Sequence, residues 1–403
     1  MDFTVEDELA SIRDRARAWA EATLNPEWVQ EQRRTGSHHA PELHTILAAQ
    51  GWLGAGWPAE LGGTSNDPAL TRAIFHQIGR HGISLDAWIT TTMVCRTILQ
   101  TGSASLQKEI IGAAISGRVL IALGYSEPGS GSDAAAATTR AVPDGAYWIV
   151  NGQKMFTSIA EHASHVFLLT RTDPSAPKHR GLTMFLVSTQ APGYECRSID
   201  TLGGVRTNAT FYTDVPVPDA MRVGHVNGGW DVMRVALVYE RSGEIPGNSG
   251  GNLEMEGSAL DQRVATWCAG QLDSAGRPRL MEPSVRERLA RIAIDREVSR
   301  LLSLRATWAT ETGSLSGIEG SARKLFGTEA AQRAHWDLLD IIGPEAVLRR
   351  GADAPLDGEV EEGFRMGVVN TIRGGSSEVL RDLIAERQLG LPRYERRQAS
   401  SPS

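Results

Sequence analysis

Hydrophobic residues recur every three or four positions near the start of the chain, which is the spacing of one face of a helix. The first residues with this spacing are Leu9, Ile12, Ala16 and Trp19. Similar patterns continue to about residue 118, interrupted by a Gly- and Pro-bearing stretch at 51–68 that predicts a loop with buried tryptophans. The pattern therefore predicts an N-terminal α-helical domain over residues 1–118.

The pattern then changes. Between residues 119 and 225, short runs rich in β-branched and aromatic residues alternate with Gly, Asp and Pro turns, which predicts a middle antiparallel β domain, a barrel or a sandwich. Helical spacing returns over 226–395 in four segments, which predicts a C-terminal domain resembling a four-helix bundle. The stretches 243–252 and 353–363 are interpreted as solvated loops, and 396–403 as a disordered tail. The predicted fold class is α+β and multidomain.

Composition narrows the possible partners and the compartment. Lys and Arg number 41 and Asp and Glu 48 among 403 residues, so the formal charge is −7. With no basic block, the chain is not expected to bind nucleic acid. Three widely spaced cysteines form neither a disulfide framework nor a zinc motif, and they favour a reducing cytoplasm. The N-terminus lacks a signal-peptide pattern, and no apolar run is long enough to predict a membrane span.

Several common kinds of site are not predicted. There is no Walker A loop and no Gly-x-Gly-x-x-Gly turn, so the sequence favours neither nucleotide-binding fold. The Ser-rich turn at 129–132 has no base adjacent in sequence, which disfavours a serine hydrolase. His162 and His165 lie three residues apart, but no further His or acidic cluster completes a ligand set. We therefore expect no metal site.

Three short segments carry candidate chemistry. GYSEPGSGSD (124–133) gathers backbone N–H groups and hydroxyls that suit an anionic or carbonyl-rich ligand, although a simple tight turn also explains it. NGQKMFTS (151–158) places an aromatic and a hydroxyl two residues apart, on one face of a strand, where they can cover and hydrogen-bond a flat ring. IRGGSSEVLRDLIAERQLGLPR (372–393) opens a helix with serines, which suits a phosphate-bearing ligand or a plain helix cap.

The three segments, in this order and within an α-block, a β-block and an α-block, resemble the acyl-CoA dehydrogenase family over about residues 5–393. The resemblance implies that family's fold, FAD bound at a subunit interface, and α,β-dehydrogenation of an acyl-CoA thioester. It also implies electron-transfer flavoprotein or a similar electron acceptor. The expected assembly is a homodimer or homotetramer, or a heterotetramer with a second family member.

The resemblance assigns roles to residues that match the family's motifs. Those that would line the flavin and its pyrophosphate are Tyr125, Ser126, Gly131 and Ser132. Ser132 would also approach the pantetheine of the substrate. Phe156 would lie against the isoalloxazine, where many relatives have Trp, and Ser158 would hydrogen-bond its edge. Ser376 and Glu378 would hold the adenosine half.

The reaction needs a carboxylate to remove a proton from the thioester α-carbon while hydride leaves the β-carbon for flavin N5. Many family members place this Glu just before the glycine of the C-terminal motif, but here that position is Gly374. A second subset, which includes isovaleryl- and long-chain-type enzymes, places it as Glu-Arg on the first helix after the β domain. This chain resembles that subset, because it has Glu240 and Arg241 there. Arg241 is expected to be an electrostatic or structural neighbour in the substrate site.

Helix geometry supports the same residue independently of the family. At 100° per residue, Asp231 and Arg234 fall on one side of the 229–242 helix, and Glu240 falls nearly opposite Asp231. The apolar residues that surround it are Trp230, Met233, Ala236 and Leu237. Desolvation disfavours the charged form of such an acid, which suits a general base. A buried Glu paired with an arginine remains the alternative interpretation.

Gly374 retains a backbone N–H, which the family uses with a ribityl hydroxyl to bind the thioester oxygen. A glycine here also removes bulk beside the substrate, so we expect a branched or ring-bearing acyl group.

The FAD contacts of the partner subunit depart from the family pattern. Leu272 and Ala275 align where relatives carry Arg and Phe, with Arg277 and Arg279 as imperfect substitutes. Asp340–Pro344 replaces a Gln-x-x-Gly-Gly segment. Such weakened motifs would suit a heteromer in which two different chains share the FAD sites. The alternative function is therefore an FAD-binding or non-catalytic partner subunit.

Overall fold

The computed structural model describes residues 7–242, 260–312 and 318–392. The N-terminal helices are α1 (Asp7–Thr23), α2 (Pro26–Thr35), α3 (Pro41–Ala49), α4 (Pro68–Arg80), α5 (Asp86–Thr101), α6 (Ala104–Leu106) and α7 (Gly112–Ile115). Local chemistry sets several starts: Asn25 and Asp67 each accept a hydrogen bond from a backbone N–H of the first turn, and proline follows both. The loop at 51–68 contains two 3₁₀ turns and buries Trp57.

One eight-stranded sheet forms the middle of the described chain. Its strands are β1 (Ile121–Gly124), β2 (Arg140–Asp144), β3 (Tyr147–Lys154), β4 (His165–Arg171), β5 (Leu182–Ser188), β6 (Tyr194–Asp200), β7 (Arg206–Pro218) and β8 (Arg222–Val223). Their order is β6-β7-β3-β2-β4-β5-β8, with β1 beside β4. Most pairs are antiparallel, as predicted, but β4 runs parallel to β1 and β2, because the β2–β3 hairpin intervenes before the chain returns.

The central strands β4 and β5 are buried on both faces. Successive side chains of a strand point to opposite faces, so these strands supply two cores. Phe167 and Leu169 join the core shared with the N-terminal helices and the start of the C-terminal domain. Val166 and Leu168 join a second core with Trp148 on the other face. The sheet is therefore a rigid platform whose loops are held from both sides.

The C-terminal helices are α8 (Gly229–Ser242), α9 (Leu260–Gly270), α10 (Pro283–Glu311), α11 (Glu319–Ile342), α12 (Glu359–Asn370) and α13 (Ser377–Arg387). Helix α11 packs against each of the others, and a third core forms around it. The predicted fold class, helical, sheet and helical again, is confirmed. The domain boundaries at 118 and 225 stay a prediction. Within the described ranges, no helix has the length and apolarity needed to cross a membrane.

One loop prediction is wrong. The acidic stretch 353–363 contains a 3₁₀ turn and then the start of α12. Glu359, Glu361 and Glu362 occupy the first turn of that helix, where carboxylates interact favourably with the helix dipole. The predicted loop at 243–252 and the tail at 396–403 lie outside the described residues.

Candidate active site

The first two motifs are joined by backbone contacts. The N–H of Met155 donates to the carbonyl of Ser126 at 2.9 Å. The Lys154 ammonium donates to the carbonyl of Tyr125 at 3.1 Å and to Glu127 at 2.8 Å. The structure therefore brings the turn at 124–133 against the end of β3.

Glu127 and Lys154 form a buried ion pair that the sequence reasoning missed. The lysine side chain is fully buried and that of Glu127 nearly so. The backbone N–H groups of Thr138 and Thr139 also donate to Glu127. Burial would raise the pKa of Glu127, but Lys154 and these bonds lower it to about 2. The available signal was alternation along β3, which places Lys154 on the same inward face as Trp148 and Val150.

Phe156 lies in the left-handed backbone region, with φ of 59°, and its ring is 62% exposed. The prediction that Phe156 and Ser158 share a strand face is wrong, because β3 ends at Lys154. Buried Asn208 holds the turn instead. Its backbone carbonyl accepts a hydrogen bond from Thr157 N–H at 2.8 Å, and its side-chain amide donates to the backbone carbonyl of Thr157 at 3.0 Å. Such strain in a non-glycine residue is typical of functional sites.

The Ser-rich turn leaves polar groups and space available. The hydroxyl of Ser130 is buried without a hydrogen-bond partner among the described residues. A Cβ added at Gly129 or Gly131 would meet nothing within 4 Å. Ser132 is exposed, and its neighbour Asp133 pairs with Lys178. This turn therefore has open space at its two glycines and a buried hydroxyl that no described residue satisfies.

Glu240 lies half-buried near the end of α8. As the helix geometry predicted, Met233 and Ala236 of this helix are buried while Asp231 is exposed. Burial raises the pKa of Tyr125 well above its usual value, and the charge of Glu240 raises it further. The phenol hydroxyl is buried without a partner among the described residues. The side chain of Arg241 lies outside the described residues.

The glycine pair of the third motif lies beside this carboxylate. Gly374 and Gly375 have φ of 67° and 101°. A Cβ added at Gly374 would lie 2.6 Å from Glu240 Oε1 and 3.3 Å from Lys324 Cε. Glu240 therefore borders the third motif, and its charge acts on the first through Tyr125.

A tether, the ion pair between Arg373 and Asp86, joins the glycine loop (Gly374–Gly375) to the N-terminal domain. Arg373 Nη1 lies 3.5 Å from Asp86 Oδ2, and His38 Nδ1 lies 3.0 Å from the same oxygen. Burial would raise the pKa of Asp86, but His38 and Arg373 hold it well below its usual range. Sequence reasoning missed Asp86 and Lys324, because their contacts join segments far apart in the chain.

The start of α13 is capped by a serine and also borders a cleft. Ser376 caps the helix, with Val379 N–H donating to its hydroxyl at 3.4 Å. Next to it is a cleft of about 290 Å³, lined by Glu329, Gln332, Arg333, Thr371, Ile372, Ser377 and Glu378. Glu378 therefore borders a cleft while Ser376 serves the cap. Their role toward an adenosine group stays a prediction.

The arginines near 277 are engaged within the chain. Arg277 pairs with Asp273 at 2.9 Å. Arg279 Nη1 donates to the carbonyl of Ile342 at 3.3 Å, so it contacts the segment that replaces the family's Gln-x-x-Gly-Gly. Leu272, by contrast, is exposed.

Histidines also cluster near the interface between the first two domains, where the rings of His39 and His162 lie 5.3 Å apart. No group of three or more His, Cys, Asp or Glu in the described part of the chain is arranged to hold a metal ion.

Comparisons with known proteins agree on one family. Models described as the N-terminal, middle and C-terminal domains of acyl-CoA dehydrogenase match residues 6–118, 122–215 and 227–389. The chain is 35% identical to acyl-CoA dehydrogenase FadE26 of Mycobacterium tuberculosis, over 87% of each chain. A solved structure of a Tcur3481–Tcur3483 steroid ACAD is 34% identical with a TM-score of 0.86, covering 98% of this chain and 100% of that one. The ChsE4–ChsE5 complex from Mycobacterium tuberculosis gives 31% identity and the same TM-score and coverage. The chain belongs to the acyl-CoA dehydrogenase family.

Proposed function

We propose that this acyl-CoA dehydrogenase uses Glu240 to remove the α-proton of a branched or bulky acyl-CoA. The observation that carries this proposal is the position of the Glu240 carboxylate, which borders Gly374 and acts electrostatically on Tyr125. A base must lie beside the substrate-binding motifs, and this carboxylate borders the third and acts electrostatically on the first. The proposed base thus comes from α8 and not from the C-terminal motif.

The described residues fit FAD. The partnerless Ser130 hydroxyl and the open positions at Gly129 and Gly131 offer room and a donor for a polar ligand. The exposed ring of Phe156 offers a face for a planar group. Residues proposed to hold the cofactor are Tyr125, Ser126, Gly131, Ser132, Phe156, Ser158, Ser376 and Glu378. When bound, FAD supplies the acceptor for the hydride that leaves the substrate β-carbon.

The chain's own groups handle the proton and the charge. Glu240 accepts the α-proton, and the backbone N–H of Gly374 donates to the thioester oxygen as negative charge develops there. Tyr125 stays neutral, because burial and the charge of Glu240 both raise its pKa. Its hydroxyl can therefore donate a hydrogen bond but does not compete as a base. Ser132 is proposed to approach the pantetheine of the substrate, and Arg241 is proposed as an electrostatic or structural neighbour in the substrate site.

Gly374 supports the proposal of a bulky acyl group. The place where its side chain would begin is taken by the Glu240 carboxylate, so position 374 adds no bulk of its own beside the reacting carbons. The similar solved structure named a steroid ACAD favours the same class. We infer that a ring-bearing acyl-CoA is accepted better than a straight-chain one.

Assembly with a second, different family member is favoured by the arginines near 277. Leu272 and Ala275 stand where relatives carry Arg and Phe, and Arg279 contacts a carbonyl of its own chain. Similar solved structures are named for two different chains. An FAD-binding partner subunit without its own activity is the second candidate function. Electron-transfer flavoprotein is the proposed acceptor, and the free thiols Cys95, Cys196 and Cys268 favour a reducing cytoplasm.

Anaerobic titration with straight, branched and steroid-ring acyl-CoAs tests the proposal. The protein is expressed alone and with its partner chain, and the absorbance of oxidised flavin is followed. We expect bleaching by one class that disappears in Glu240→Gln. Asp231→Asn, on the exposed face of the same helix, is the matched control and is expected to bleach as wild type. A flavin that bleaches equally well in Glu240→Gln would exclude Glu240 as the base, and a flavin that never bleaches would favour the partner-subunit function.

A further inference from the structure

A buried lysine adjoins the proposed base. Lys324 lies on α11 and is 6% exposed. Its ammonium donates to the carbonyl of Gly375 at 2.8 Å and lies 3.4 Å from that of Asn370. Its Cε and the carboxylate of Glu240 border the same space, the one where a side chain at position 374 would begin. A single cation therefore contacts the glycine loop and lies next to the carboxylate.

A buried ammonium is costly unless it is compensated by hydrogen bonds or by a negative charge. The two carbonyl contacts compensate part of this cost. They also fix the backbone of Gly375, which follows the residue whose N–H is the proposed oxyanion donor. Both glycines adopt positive φ values, and a glycine pair has many alternative conformations. The ammonium is thus a local restraint on a segment that has little intrinsic stiffness.

We propose that Lys324 is a positioning residue for the reaction, an inference that rests on the proposed function. It holds the Gly374–Gly375 loop in register with Glu240 and places a fixed positive charge beside the site. During the reaction, negative charge passes from the Glu240 carboxylate to the oxygen of the enolate as the C–H bond breaks. The ammonium lies beside the carboxylate, and by bonding to Gly375 it fixes the loop whose Gly374 N–H receives the charge on the oxygen. It speeds the reaction to the extent that it favours charge on that oxygen over charge on the carboxylate.

Three variants test the proposal in the flavin-loaded protein, with the partner chain present where FAD loading requires it. Lys324→Met removes the donor and the charge, Lys324→Gln keeps a neutral donor, and Lys324→Arg keeps the charge. Thr328→Val is the matched control, because Thr328 is buried one turn later and its hydroxyl bonds to the carbonyl of Lys324. We expect flavin reduction to slow about 100-fold in the Met variant while the Kd of the acyl-CoA changes less than about threefold.

Amide hydrogen exchange over residues 371–377 gives a second readout that does not require catalysis. It is expected to rise in Lys324→Met and to stay near wild type in Lys324→Gln and Thr328→Val. Lys324→Arg is expected to recover at least about a tenth of the wild-type rate, because it restores a donor and a charge. If Lys324→Met does not fold, the Gln variant decides the outcome, with an expected loss of about tenfold in rate.

Three results would contradict the proposal, and they are distinguishable. Flavin reduction within about threefold of wild type in both the Met and Gln variants, with Glu240→Gln inactive, would remove Lys324 from the mechanism but leave the proposed function intact. If none of the acyl-CoAs reduced the flavin of the wild-type protein, both the role of Lys324 and the proposed function would be wrong. A loss of acyl-CoA affinity equal to the loss of rate would also contradict the proposal, since a group that acts on developing charge affects the rate more than binding.

Discussion

The carboxylate of Glu240 lies where a side chain at position 374 would begin: a Cβ there would be 2.6 Å from Oε1. Two non-bonded heavy atoms do not approach so closely, so a side chain at position 374 would force the carboxylate end of Glu240 to move. The family resemblance implies two positions in the sequence for the base, one just before the glycine of the C-terminal motif and one on the first helix after the β domain. In this chain the two positions lie next to each other in space, and a glycine at position 374 leaves room there for the Glu240 carboxylate.

We therefore expect Gly374→Ala to slow the reaction with every acyl-CoA, by about 10- to 100-fold in kcat/KM. The new methyl group would displace the carboxylate, and the φ of 67° adds strain for a residue with a Cβ. The loss should be larger for ring-bearing than for straight-chain substrates, because the displaced carboxylate takes up room beside the acyl group. Steady-state kinetics with both classes measures this.

Gly390→Ala is a suitable control for the strain alone, because its φ is also positive and an added Cβ there would meet nothing within 4 Å. It is expected to leave kcat/KM unchanged. If Gly374→Ala lowered kcat/KM by the same factor for bulky and for straight-chain substrates, the proposed role of Gly374 in selecting the acyl group would be wrong.

The sequence predicted the order of helices and strands and the apolar stripe of α8, because both depend on local periodicity. Met233 and Ala236 are buried and Asp231 is exposed, as the 100° rotation per residue requires. Phe156 was placed wrongly on a strand, because tertiary bonds from Asn208 hold it in a left-handed turn that no local pattern indicates. The alternation of β3 carried a signal for Lys154, but its place on the inward face was not predicted.

The contacts of Asp86 and Lys324 could not be predicted at all. Each depends on a meeting of segments about 50 or more residues away or in different domains, and a single sequence carries no information on such distances. Glu127 is an intermediate case. It lies inside the first recognised motif (124–133), but the buried lysine that pairs with it, Lys154, belongs to the second motif (151–158).

The Glu127–Lys154 pair predicts an acid-sensitive contribution to stability. Replacing Glu127 by Gln leaves Lys154 buried without its counter-charge, so the free energy of unfolding at pH 7 is expected to fall by about 3 kcal/mol. The pKa of Glu127 is lowered to about 2 from 4.5, so the folded state favours the ionised form. The stabilisation is therefore present above pH 4.5 and lost as the pH falls toward 2.

Urea unfolding of the wild type and Glu127→Gln at a series of pH values measures this contribution. The difference between the two proteins should shrink below pH 4.5. The double variant with Lys154→Met should recover part of the loss, because no unpaired charge then remains. A difference that stayed constant from pH 7 to 3 would mean that the pair does not control the ionisation of Glu127.

The tether between Asp86 and Arg373 predicts coupling between the N-terminal domain and the glycine loop. Asp86→Asn and Arg373→Gln are each expected to slow flavin reduction, and the double variant is expected to be no slower than the more affected single one. Such non-additivity, with a coupling of about 1 kcal/mol, is typical of residues in direct contact. Fully additive effects on the rate would show that the ion pair at 3.5 Å does not position the loop.

The left-handed backbone of Phe156 predicts opposite effects on stability and cofactor binding. Asparagine tolerates this region far better than phenylalanine, so Phe156→Asn should stabilise the flavin-free protein by about 1 kcal/mol. The same change removes an exposed ring that we propose to lie against the isoalloxazine, and FAD should bind about fivefold more weakly. Thermal unfolding without FAD and fluorescence titration with FAD measure the two effects.

Phe156→Trp keeps both the ring and the strain, so it should change neither quantity by much. Weaker FAD binding together with a less stable flavin-free protein would mean that the ring packs within the fold instead of serving the cofactor, and the 62% exposure of its side chain argues against that outcome.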